Sequence, residues 1–173
     1  MVYWLVSLPA VVLGTLALRA MPPTLERQPP TFEAYKTPVA NIHKSHVKIQ
    51  SHPVGKKFRI VIRETVASKG INFAGQFTLV EWGCGTNCTR FAIVDLKTGQ
   101  ISYDPDLMST FRGLDFRRDS ALLVVDPPSD DCDLDPTWPT RYYLWKDGRL
   151  KLVSVRPGEG RTTACSGRGE PRR

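Results

Sequence analysis

The sequence contains no G-x-S-x-G elbow, no C-x-x-C pair, and no acidic loop framed by the glycine and glutamate of an EF-hand. Those gaps remove the commonest signatures of a serine hydrolase, a thioredoxin-type redox protein and a calcium switch. Acidic residues are also in deficit: 17 Asp and Glu stand against 24 Lys and Arg, a formal net charge of +7. A surplus of that sign favours anionic partners, but without a basic helix or an aromatic platform it argues against a nucleic-acid footprint. Histidine is scarce, with only His43, His46 and His52. They fall in a polar stretch without helical period, so H-x-x-H does not place two imidazoles on one side. They read as solvated side chains, and neither metal nor cofactor is expected.

Charge is missing altogether from residues 1–18, which are almost wholly apolar. Residues 1–20 read as an export signal, cut after Ala17 or Ala20, or as an N-terminal anchor, about 20 apolar residues being needed to span. No Lys or Arg precedes the run, and initiation at Met21 is the third reading. Export, to a periplasm or the exterior, is the expectation, with membrane contact only through residues 1–20. Residues 21–53, opening with four prolines in Met21 to Pro30, read as a proline-rich, basic linker. A single domain follows over 54–165, and 166–173 form a basic tail.

What is present points to an α+β domain. Phe58, Val61, Ile62, Thr65 and Val66 recur at helical spacing between Val54 and Gly70, although the β-branched residues Ile60 to Ile62 also permit a strand. Six strand-like runs follow: 76–82, 91–95, 100–103, 121–125, 141–145 and 150–155. Asp147-Gly148 is a strong hairpin signal between the last two. The pattern is an antiparallel meander of about six strands with one packed helix, stabilised by disulfides.

Cysteine is limited to Cys84, Cys88, Cys132 and Cys165. An even count in an exported chain suggests a disulfide framework with three possible connectivities. Cys84 with Cys88 and Cys132 with Cys165 is the favoured one. For Cys84 and Cys88 the alternatives are half a metal site, which lacks a second close pair, and a redox pair, whose spacing is one residue too long.

The stretch Asn72-Phe73-Ala74-Gly75, then Trp82-Gly83-Cys84-Gly85-Thr86 with Cys88, resembles the core of a family of exported bacterial proteins with no established activity. Phe58-Arg59, Arg63, Val94-Asp95, Thr98-Gly99, Arg117 and Asp119-Ser120 extend the resemblance over about residues 55–126, and Gln76 departs from it where the pattern has histidine. The resemblance implies export and one domain, and brings no reaction.

No catalytic set emerges. Ser120 follows Asp119 outside any elbow. Arg59 and Arg63 with Glu81 or Asp119 form a candidate structural ion pair between helix and sheet. Trp82, Trp138, Tyr143 and Trp145 are candidates for a ligand groove. Asp126, Asp130, Asp131, Asp133 and Asp135 make an exposed acidic loop around Cys132, with Pro136 where a calcium loop needs glycine. The expected function is non-enzymatic binding of a protein or an acidic envelope polymer, as a ligand binder or an inhibitor. The alternatives are an envelope enzyme using Cys84 or a carboxylate pair, and a metal-binding module.

Overall fold

The computed structural model describes residues 28–42, 46–129 and 137–158. Two helices, α1 (Pro53–Lys57) and α2 (Arg59–Lys69), precede eight strands. The strands are β1 (Phe77–Gly85), β2 (Cys88–Asp95), β3 (Ile101–Ser102), β4 (Ser109–Thr110), β5 (Leu114–Phe116), β6 (Leu122–Val125), β7 (Thr140–Lys146) and β8 (Arg149–Arg156). They form two antiparallel four-stranded sheets, the first with β1, β2 and β3 in order and β4 also on β2, the second in the order β5-β6-β7-β8. The fold is α+β as expected, but six strands is an undercount: all six expected runs are strands, and β4 and β5 are additional. Two or three residues are too few for the alternation that betrays a strand.

Alternation along β1 and β2 explains how the layers stack. Leu79, Phe91 and Ile93 face the second sheet, where Leu123, Val125, Tyr143, Trp145 and Leu150 complete one apolar cluster. Val80, Trp82, Ala92 and Val94 face the other way, against Ile62 and Val66 of α2. The first sheet is therefore covered on both sides, by helices and by the second sheet. The single helix expected over Val54 to Gly70 is divided at Phe58, whose backbone leaves helical geometry (φ −110°, ψ 29°) and whose ring stacks on Trp82 at 4.5 Å. His52 starts α1, its Nδ1 accepting the N–H of Val54 at 3.1 Å. The N–H of Gly70 closes α2 on the carbonyl of Val66.

The stretch expected to be a linker does not behave as one where it is described. Phe32 and Tyr35 pack on Leu122, Val124 and Tyr142, covering the outer face of the second sheet. Ile49 is buried beside the helices. Backbone bonds hold the segment along its length: Thr37 N–H to Asp119 (2.8 Å), Ala40 N–H to Gly75 (2.7 Å) and Lys48 N–H to Gly99 (2.8 Å). Both glycine positions have positive φ, and a Cβ on either would meet the backbone of this strap, the described part of residues 28–49: the Pro38 carbonyl at Gly75 and the His46 carbonyl at Gly99. Proline content signals an extended segment, and extension is what lets this one lie along the sheets.

A disulfide joins Cys84 and Cys88 at the tip of the β1–β2 hairpin, with Cα atoms 5.1 Å apart. Gly85 pairs with Cys88 across a two-residue turn, and a bulge between Gly83 and Gly85 leaves Cys84 without a cross-strand partner. The bond thus fastens an irregular hairpin end. Replacing both cysteines with serine is expected to cost about 2 kcal/mol, read from the urea midpoint, because the closed ring is small.

Candidate functional site

The second sheet ends in a polar knot around Asp126. This residue follows β6 and adopts a positive φ of 55°, a conformation aspartate tolerates better than most residues. It is fully buried. Its Oδ1 accepts the Thr110 hydroxyl (2.8 Å) and the N–H groups of Phe111 (2.7 Å) and Arg112 (2.9 Å). Its Oδ2 accepts Nη2 of Arg141 at 2.6 Å. Its backbone carbonyl accepts the Thr140 hydroxyl (2.8 Å) and Nη2 of Arg112 (2.7 Å). Burial by itself would raise the Asp126 carboxyl; the two N–H groups, the Thr110 hydroxyl and the Arg141 guanidinium together outweigh it and hold the carboxyl below its usual range.

The knot fixes two aromatic side chains in solvent. Phe111 is attached through its own N–H, and Trp138 through its carbonyl, which accepts Nη2 of Arg112 at 2.6 Å. Their ring centroids lie 4.3 Å apart, and each residue is 38% exposed. Beside them runs β8, paired to β7 on one side and to no described strand on the other. Leu152 (56%), Val153 (41%) and Val155 (50%) are exposed along it. Leu152 pairs with Tyr143 and Val155 with Arg141, while Val153 is the extra residue of a bulge. Thr140 pairs with Arg156, so the Val155 end of β8 lies at the same end of the sheet as Trp138. Among the described residues seven large apolar side chains are exposed, and five of them belong to this edge and end; the other two are Val39 and Ile60.

The remaining candidates are dispersed. Trp82 is buried under the helices, Tyr143 and Trp145 lie in the core between the sheets, and only Trp138 is exposed. The four therefore line no common groove, because alternation sends Trp82 and the β7 aromatics into different layers. Arg59, Arg63, Glu81 and Asp119 are all exposed. No ion pair links them; the pairs among described residues are Arg117–Glu33, Arg141–Asp126 and Lys151–Asp147. Arg63 instead borders a hollow of about 330 Å³ with His46, Val47, Val66 and Ala67. Ser120 is buried, its hydroxyl donating to the Phe32 carbonyl at 3.0 Å, which is a structural role. Asp95 caps a turn through the N–H of Lys97 (2.8 Å) and takes Nε2 of Gln76 (3.1 Å).

Among the described residues no group of three His, Cys, Asp or Glu could hold a metal ion, and no helix is long and apolar enough to cross a membrane. Residues 1–20, His43, the 130–135 part of the acidic loop with Cys132, and the tail with Cys165 lie outside the described residues.

No family model, no curated protein and no solved structure matches the chain. Function has to be read from the chemistry of the surface.

Proposed function

We propose that this is a binding domain of the cell exterior, taking a protein partner on the edge and end of its second sheet. The observation that carries the reading is the gathering of five of seven exposed large apolar side chains at β8 and the Phe111–Trp138 pair. An open strand edge offers backbone hydrogen bonds to an added strand, and flanking apolar side chains supply specificity. Rigid exposed aromatics are the usual anchors of such interfaces. Arg149 and Lys151 are exposed on the same strand, which favours an acidic partner strand over a second copy of this chain.

The disulfide is consistent with an oxidising, exported location. It also weakens the enzyme alternative, since a thiolate nucleophile at Cys84 is tied up by Cys88. The test is a Leu152→Lys, Val155→Lys double variant compared with an Ile60→Lys control in affinity enrichment from the native host. Both sites are exposed, so folding should change by no more than about 0.5 kcal/mol. The double variant is expected to lose its bound partner about tenfold or more while the control keeps it. Equal recovery from both variants, or equal loss, would refute the docking edge.

A further inference from the structure

Three segments distant in sequence meet where the two sheets open at the far end of the β7–β8 hairpin: His52, residues 101–108, and residues 148–150. They line a groove of about 320 Å³, within the lower range of small-molecule sites. Its floor is apolar, made by buried Ile101, Met108 and Leu150 with half-buried Leu107. Tyr103 packs on both main core clusters, so the groove lies at the seam between them.

Around that floor stand charges of both signs. Asp104 is held in place by its Oδ1, which accepts the N–H of Asp106 at 3.0 Å, and by its carbonyl, which accepts the N–H of Met108 at 2.8 Å. Its Oδ2 has no donor among the described residues. Arg149 stands on the hairpin rim, paired to Lys146 through its backbone and near enough to Asp147 to help hold that carboxyl down, but its guanidinium forms no ion pair within 4.0 Å among the described residues. Ser102 likewise has an uncommitted hydroxyl. The His52 ring uses Nδ1 to accept the Val54 N–H, so in its neutral form the proton sits on Nε2, which is a donor. Its orientation is supported by edge-on contact with Tyr103, centroids 6.2 Å apart.

We propose that this groove binds a small zwitterion with an apolar body, of the size of a free amino acid or dipeptide. The carboxylate meets Arg149 and the Nε2–H of His52, the ammonium meets Asp104, and the side chain covers Ile101, Met108 and Leu150. An anion or cation alone would answer only half of the charged rim, and charge-assisted hydrogen bonds at both ends are what distinguish the zwitterion. The site lies at the opposite end of β7 and β8 from Phe111 and Trp138, so it stands or falls separately from the docking edge.

The test is an NMR titration of the full chain with L-leucine and L-leucyl-L-leucine, each compared with forms blocked at one charge by N-acetylation or methyl esterification. The expected result is saturable shifts of the Ile101 and Leu150 methyl signals with at least one zwitterion, and affinity lower by about tenfold or more for both of its blocked forms. Asp104→Asn and Arg149→Gln should each weaken the zwitterion by a similar factor. If a variant fails to fold, the blocked ligands on the unaltered chain decide the matter. Absence of saturable shifts with either zwitterion, or equal affinity for blocked and unblocked forms, overturns the proposal.

Discussion

Asp126→Ala is expected to lower the unfolding free energy by about 3–5 kcal/mol in urea denaturation at neutral pH. The substitution removes an acceptor that serves one hydroxyl, two N–H groups and a guanidinium, all at 2.6–2.9 Å. It leaves Arg141 without its carboxylate and the N–H groups of Phe111 and Arg112 unanswered, while the Thr110 hydroxyl keeps the Gly113 carbonyl at 2.6 Å. Domains of this size are stable by only about 5–15 kcal/mol, so the loss is a large share. Asp126→Asn separates charge from shape, because asparagine also tolerates positive φ. It should cost roughly 2–3 kcal/mol, one carboxylate oxygen having become a donor facing Arg141.

The pH dependence has a definite sign. The folded Asp126 carboxyl is held below its unfolded value, so the stability it supplies is complete above the unfolded value, about 3.9, and is lost as pH falls through the folded one. The difference between the native chain and Asp126→Asn should therefore narrow in acid. An unchanged midpoint at pH 7, or a gap that persists at the lowest pH, would show that the knot does not hold the sheet end.

The second large effect is expected at Gly75→Ala, roughly 3 kcal/mol, combining a left-handed backbone with a crowded Cβ. At φ 79° the added methyl would point into the Pro38 carbonyl. Gly75 also donates its N–H to Arg118 and accepts the N–H of Ala40, both at 2.7 Å, so it cannot move away without releasing the strap. Hydrogen exchange should show the Thr37 and Ala40 amides losing protection before those of β1 and β2. A stability change under 1 kcal/mol, with those amides still protected, would contradict the clamp.

The local patterns carried much of the fold. Alternation in 76–82, the fully apolar run 121–125, and Asp147-Gly148 as the turn between Lys146 and Arg149 are properties of short segments, and the structure reproduces them as strands and a hairpin. The Cys84–Cys88 pair was legible for the same reason. The strap was not, because an extended segment with bulky residues only at intervals has no period. Its attachment depends on glycines at 75 and 99 that are distant in sequence. The candidate site was half legible. Trp138 was singled out among aromatics, but nothing in its neighbourhood marks Phe111 as its companion. Asp126 reads in the sequence as one of five aspartates in an exposed acidic loop, but it is fully buried, because its four side-chain hydrogen bonds come from residues 14 to 16 positions away. The expected Arg59 and Arg63 pairing failed because both lie on the solvent side of α2, where Ile62 and Val66 already claim the sheet.

The docking edge is tested most directly by a photo-cross-linking amino acid placed in turn at Leu152, Val155 and Ile60 of the full chain in its native host. Ile60 is the fair control, being 60% exposed and apolar but on α2, remote from the second sheet. Discrete adducts with one other protein from Leu152 and Val155, and none from Ile60, are the predicted result. Adducts of equal yield from Ile60, or adducts only of the chain with itself, would contradict it.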